Sequence, residues 1–269
     1  MNKKIGFIGC GKMASAIIGG AISSKFVEKD CITASEITEE IAAQKSEALG
    51  IEVITNNIDL VKKSDIIFVA TVPRFVEDVL NEIKDYVTND KLVISIAAGV
   101  TTKFIESILP QGSRVIRVMP NTPMLLLEGM SGVLKGANAT EEDINFTTEL
   151  LSKLGKCIVA DDEAQMDIIT AISGSGPAFY YKIINEIARA GEKLGLDYEK
   201  ALVLSMQTAI GAAKMLMNSD KSAEELVESV ATKGGCTRVG VDRMIDYKTD
   251  ELFYDVIDKT TQKAHALGK

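Results

Sequence analysis

The sequence predicts a doubly wound α/β fold, a parallel sheet with helices on both faces, followed by an all-helical domain. Three observations carry this. Short apolar runs alternate with helix-like segments through residues 1–160, the pattern of strands buried on both sides. A glycine-rich turn stands where the first run meets the first helix, where such folds receive anions. Beyond about Asp161 the strand-like runs stop, and apolar residues recur three and four apart, as on helices. The boundary is expected near residue 160, with the helical domain over 161–269.

Taken in order, Lys4–Ile8 reads as a buried strand and Lys12–Lys25 as a helix. Ile32–Ala34 is a strand and Thr38–Leu49 a helix. Further strands are expected at Ile51–Ile54, Ile66–Ala70, Leu92–Ile96 and Val115–Val118, with helices at Phe75–Tyr86 and Thr102–Leu109. Right-handed crossovers then fix most of the topology. Met130–Leu134 and Cys157–Val159 are candidate edge strands. In the second half, Pro177–Leu194, Tyr198–Met217 and Asp250–Leu267 read as helices. Ser222-Ala-Glu-Glu225 is a capping box, in which hydroxyl and carboxylate satisfy each other's backbone donors.

Composition excludes several classes of function. Lys+Arg total 30 against 38 Asp+Glu, a net charge of −8, with no Trp. Nucleic-acid affinity rests on neutralising phosphates, and anionic membranes likewise need a basic surface, so neither is an expected partner. No apolar stretch approaches the roughly 18 residues of a membrane span. The segment from Met1 to Cys10 resembles a lipoprotein signal, but its apolar core is too short for one. The four cysteines form no Cys-x-x-Cys pair, which implies neither a zinc ribbon nor a disulfide framework but a reduced, cytoplasmic protein. No metal site is expected. The single histidine, His265, is expected on a frayed surface end. Mechanisms that turn on a central histidine therefore have nothing to use.

In Gly6-Phe-Ile-Gly9-Cys-Gly11-Lys-Met-Ala14, Gly9 permits the tight turn, Gly11 admits a pyrophosphate, and Ala14 keeps helix and sheet close. Within a first βαβ unit this is a Rossmann-type dinucleotide site. Ser35-Glu36 ends the second strand. A carboxylate there accepts from a ribose 2′-OH and repels a 2′-phosphate, which favours NADH over NADPH. Thr71-Val72-Pro73 and Ala97-Ala98-Gly99 follow later strands and place small residues at the ligand crevice, or simply end those strands. In the helical half, Ser173–Pro177 and Thr232–Thr237 are small-residue stretches. Each is either a loop or a nest of backbone N–H groups able to hold a carboxylate.

These strings together resemble the pyrroline-5-carboxylate reductases. The resemblance spans the chain and is carried by Ile5–Gly11, Val93–Thr101, Arg117–Pro123, Ser173–Phe179, Gln207–Met215 and Gly234–Thr237. It implies NAD(P)H-dependent reduction of a cyclic imine, 1-pyrroline-5-carboxylate, to L-proline, the last step of proline biosynthesis. It also implies a homo-oligomer, with the helical domain as dimer interface and decamers among its larger rings. Carried over by position, the Gly234, Gly235 and Cys236 backbone and the Thr232 hydroxyl hold the substrate carboxylate. Thr237 bonds the ring nitrogen as the catalytic residue. Glu163 lies near the ring, or else is an exposed helix-start acid. The cofactor contacts are Gly9, Cys10, Gly11, Lys12, Met13, Ser35, Glu36, Asn57, Thr71, Val72, Pro73, Ala97, Ala98 and Ser229. The chain departs from the family pattern at Val72, where Lys is usual, at Lys233, where Pro is usual, and at Glu36.

Imine chemistry suits a chain with one histidine, because an imine nitrogen is basic enough to be protonated near neutral pH without a tuned general acid. A rival reading takes Lys182 and Asn185, three apart on one helix face, as the acid/base pair of a 3-hydroxyacid dehydrogenase. The plainer reading is a lysine whose stem lies on its helix. A third reading is a nucleotide-binding regulator without turnover.

Overall fold

The computed structural model describes residues 3–268, so Met1, Asn2 and Lys269 lie outside the described residues, including the first two of the signal-like segment. Among the described residues, eight strands and twelve α-helices follow one another. They are β1 Ile5–Ile8, α1 Lys12–Ser23, β2 Ile32–Ser35, α2 Glu39–Leu49, β3 Glu52–Ile54, α3 Asn57–Lys63 and β4 Ile66–Val69. Then come α4 Val76–Ile83, β5 Leu92–Ser95, α5 Thr102–Ile108, β6 Arg114–Met119, β7 Gly129–Lys135, α6 Glu141–Ser152, β8 Gly155–Val159 and α7 Glu163–Ile169. The chain ends with α8 Gly176–Lys193, α9 Tyr198–Met217, α10 Ala223–Val230, α11 Cys236–Asp246 and α12 Thr249–Leu267.

The sheet order is β3-β2-β1-β4-β5-β6-β7-β8. Every pairing is parallel except the antiparallel β6–β7. The alternation of side chains along each strand feeds two cores. Ile5 and Phe7 of β1 and Phe68 of β4 face one side, packed with Ile17 and Ile18 of α1 and Leu150 of α6. Ile8, Ile67 and Val69 face the other, with Leu60 of α3 and Leu80 and Ile83 of α4. The Phe7 and Phe68 rings stack across the β1–β4 pair with centroids 4.5 Å apart, within the favoured range for offset aromatic pairs. Because β1 pairs with both β2 and β4, strand order reverses beside β1, and the crevice at the strands' carboxyl ends opens there.

The fold class is the expected one. Met130–Leu134 falls inside β7, an interior strand rather than an edge, while Cys157–Val159 belongs to the edge strand β8. The Phe75–Tyr86 segment divides into 3₁₀ turns at Pro73–Phe75 and Lys84–Tyr86 around α4. Proline stands in the first position of the first turn, where its missing N–H costs nothing.

Two compact units partition the chain. One ends at Ser175 and resumes at Thr260; the other runs Gly176–Lys259. This differs from a boundary at 160/161, because α7 packs with the sheet: Met166 is fully buried against Leu134 of β7 and Ala160. In the helical unit, α8 and α9 pack closely, with Ala188 and Ala201 buried and the Ser205 hydroxyl donating to the Ile184 carbonyl at 3.1 Å. The capping box forms as expected: Glu225 N–H donates to Ser222 Oγ at 3.2 Å and Ser222 N–H to Glu225 Oε2 at 2.7 Å. Large apolar side chains of this unit remain exposed, among them Tyr180, Ile187, Leu204, Met215 and Val230. None of the described helices is long and apolar enough to cross a membrane.

Candidate functional site

The glycine turn lies between β1 and α1. Gly9 has φ +90°, where side chains are strained, and a Cβ there would stand 3.0 Å from the Ala70 carbonyl oxygen. Gly11 caps α1 without a side-chain acceptor, and a Cβ on it would meet nothing within 4 Å. The first amides of α1, from Lys12 and Met13 onward, therefore face an open approach. Cys10 is fully buried, and burial pushes its thiol above the usual range.

Glu36 comes from the end of β2, its amide tied to the Ile54 carbonyl of β3 at 2.9 Å. Its carboxylate accepts from the Cys10 N–H at 2.9 Å. The acidic group thus sits on the glycine turn itself. Ser35 is buried and donates to Asn57 Oδ1 at 2.6 Å, while Asn57 donates onward to Glu82 Oε2 at 2.8 Å. Those two side chains brace the strand end rather than present themselves to a ligand. After β4, Thr71 Oγ1 is buried and has no hydrogen-bond partner among the described residues, and Val72 is exposed. After β5, Ala97 is buried and Ala98 exposed.

These residues fit a dinucleotide: open helix amides for a pyrophosphate, a carboxylate for a ribose diol, and an orphaned buried hydroxyl at the neighbouring strand end.

Glu163, at the start of α7, belongs to the sheet unit. It accepts from the Thr102 N–H at 2.7 Å and Thr102 Oγ1 at 2.9 Å, and pairs with Arg117 Nη1. Arg117 is 1% exposed and its Nη2 lies 3.9 Å from Asp167 Oδ1. A guanidinium with no water access needs such carboxylates. Glu163 is therefore a buried cation's partner rather than an exposed helix-start acid. His265 is not frayed. It lies within α12, and Nδ1 is 3.0 Å from Asp167 Oδ2, although the side chain is largely exposed.

The second candidate stretch lies in the helical unit, between α10 and α11. Gly234 has φ +78°, a left-handed position that suits glycine. The Gly235 N–H donates back to the Thr232 carbonyl at 3.0 Å. The turn therefore consumes one amide expected to face a ligand. Gly235 caps α11 with no side-chain acceptor, so the amides of Cys236 and Thr237 start the helix with no carbonyl behind them. Thr232, Cys236 and Thr237 are all exposed. A Cβ on Gly235 would lie 3.0 Å from Thr232 Oγ1, so glycine leaves that hydroxyl its room. Ser229, on α10, donates its hydroxyl to its own helix at Leu226 O, 2.7 Å away.

The sequence reading missed one functional-looking residue, Arg238. It donates Nε–H and Nη2–H to the Ala231 carbonyl at 3.0 and 2.7 Å and pairs with Glu228. The signal was present as a lone arginine just past Cys236-Thr237, but only folding shows that it points back.

Lys182 and Asn185 sit on α8 and are both engaged: Lys182 Nζ is 2.6 Å from Glu186 Oε1, and Asn185 Oδ1 accepts from the Tyr198 hydroxyl at 2.9 Å. The ion pair holds the Glu186 carboxyl below its usual range. Among the described residues no group of three or more His, Cys, Asp or Glu is placed to hold a metal ion.

A doubly wound sheet with an uncapped glycine turn at its switch point, joined to a helical unit, defines a dinucleotide-binding α/β protein. Residues 4–99 match a family model described as NADP oxidoreductase, coenzyme F420-dependent. Residues 163–267 match the model for pyrroline-5-carboxylate reductase dimerisation. The chain is 38% identical to a pyrroline-5-carboxylate reductase of Methanosarcina acetivorans, over 100% of this chain and 99% of that one. It is 34% identical to one of Pseudomonas aeruginosa, over 99% and 97%. The solved reductase of Coxiella burnetii superposes with a TM-score of 0.94 at 31% identity over all of both chains. The Plasmodium falciparum pyrroline carboxylate reductase, solved with NADP bound, gives 0.87 at 29% identity over 100% and 99%. The chain belongs to the pyrroline-5-carboxylate reductase family.

Proposed function

We propose that this protein reduces 1-pyrroline-5-carboxylate to L-proline with NAD(P)H. The full-length kinship to reductases of that name, at 38% and 34% identity, carries the reading. The site geometry supports it. A reduced nicotinamide dinucleotide supplies the hydride. Gly11, Lys12 and Met13 hold its pyrophosphate at the start of α1, on the turn shaped by Gly9 and Cys10, Glu36 holds its ribose, and Thr71 with Ala98 forms the approach to the reacting end.

In the substrate loop, the Cys236 and Thr237 amides and the Thr232 hydroxyl take the substrate carboxylate, aided by the Gly234 backbone. Thr237 Oγ1 accepts a hydrogen bond from the protonated ring nitrogen, whose C=N electrons become the amine lone pair as hydride adds to the imine carbon. The imine nitrogen carries that proton near neutral pH, so a positioned hydroxyl suffices, and rate comes mainly from holding the ring in place. Gly235 serves the turn rather than the ligand, and Glu163 serves Arg117. Lys182 and Asn185 are spoken for by Glu186 and Tyr198, which disfavours the hydroxyacid dehydrogenase reading.

The protein works as a homodimer through the exposed apolar faces of the helical unit, and a ring of dimers such as a decamer is the larger assembly we expect. Four unpaired thiols are compatible with a reducing, cytoplasmic site of action. Turnover of NADH or NADPH with the imine acid tests the whole reading, and its absence would refute it.

A further inference from the structure

We propose that Arg238 is a positioning residue that pre-forms the carboxylate-binding loop. This rests on the reading of Thr232–Thr237 as the substrate loop. Arg238 is the third residue of α11, directly after Thr237. Its guanidinium reaches back across the turn and places two N–H donors on one acceptor, the Ala231 carbonyl, at 3.0 and 2.7 Å. Ala231 caps the carboxyl end of α10 and is 1% exposed. A cation at a helix C-terminus meets the last unpaired carbonyls and the negative end of the dipole.

Glu228, on α10, pairs with the same Nη2 that donates to the Ala231 carbonyl. Asp242, one turn further along α11, lies 3.9 Å from Nη1. The planar fork is thus held along its Nε–Nη2 edge, as a flexible ammonium would not be. The effect is to tie the residue just before the loop to the helix that starts at its end. Between those ends lie Gly234 at φ +78° and Gly235, whose rigidity the chain does not itself supply. Holding such a loop in its bound shape before the ligand arrives removes an ordering cost from binding.

The test compares wild type with Arg238→Gln, Arg238→Lys, Glu228→Gln and, as a control on the same helix, Arg243→Gln. Each is assayed with 1-pyrroline-5-carboxylate and with 1-pyrroline, which lacks the carboxylate. We expect Arg238→Gln to raise KM for the carboxylated imine roughly tenfold, with kcat within about twofold. Its kcat/KM for 1-pyrroline stays at the wild-type value. Arg238→Lys recovers part of the loss, Glu228→Gln shows a smaller one, and Arg243→Gln shows none. Amide hydrogen exchange quickens in residues 231–238 of Arg238→Gln and nowhere else. Equal losses on both imines, or no change in KM and exchange, would overturn the proposal. If wild type reduces neither imine, the proposed function fails instead, and exchange in the loop still decides whether Arg238 holds it. Should Arg238→Gln not fold, Arg238→Lys and Glu228→Gln give the same two readouts.

Discussion

The carboxylate of Glu36 accepts a hydrogen bond from the amide of Cys10 at 2.9 Å, so the end of β2 is tied to the glycine turn that starts α1. A negative charge is thereby fixed where the adenosine ribose of a dinucleotide would lie. On the proposed assignment a 2′-phosphate meets repulsion there, and a 2′-hydroxyl meets an acceptor. Glu36→Gln should raise the ratio of NADPH to NADH efficiency by about tenfold, an effect on the scale of one charge–charge contact near a protein surface. Steady-state kinetics with both cofactors read it, and an unchanged ratio contradicts the assignment.

Arg117 gives a prediction about stability. It is 1% exposed, and Glu163 is its near partner, with Asp167 at 3.9 Å. Glu163→Ala strands most of a buried cation and should cost about 3 kcal/mol of unfolding free energy, as removing one member of a buried pair does. Denaturant unfolding measures this. Full stability with lost turnover would return Glu163 to the substrate.

The thiols should separate kinetically. Cys236 is exposed at the start of α11, whereas Cys10 is buried and its thiol is pushed up by that burial. Since the thiolate is the nucleophile, native-state alkylation should consume Cys236 first and leave Cys10 for the unfolded chain. A fast phase that survives in Cys236→Ser would contradict this.

Self-association follows from the exposed Tyr180, Ile187, Leu204 and Met215 of the helical unit. So much apolar surface in one region marks an interface. Light scattering should give a dimer or a multiple of it, and Leu204→Glu, which buries a charge in that interface, should lower the mass. A monomeric wild type would contradict the assignment.

The sheet was legible because its strands are buried on both faces and their apolar runs stand out between turns. The glycine turn was legible because strand, Gly9, Gly11 and helix occur in a fixed order. Other features depend on distant partners. Arg117 meets Glu163 across 46 positions and Asp167 meets His265 across 98, and no local pattern announces either. Helix α11 was hidden because it starts inside Gly-Gly-Cys-Thr and contains Gly240, so loop chemistry masks its periodicity. For the same reason the turn bond from Gly235 to Thr232 and the backward reach of Arg238 emerged only in the folded chain.

The most direct test is oxidation of NADH, and separately NADPH, with 1-pyrroline-5-carboxylate, by wild type and Thr237→Ala. Thr237 is exposed, so the variant should keep its fold. We predict turnover by wild type, and a loss of roughly a hundredfold in kcat/KM for Thr237→Ala, as expected for losing a hydroxyl positioned on the reacting nitrogen. No turnover by wild type with either cofactor, or an undiminished Thr237→Ala, would contradict the account.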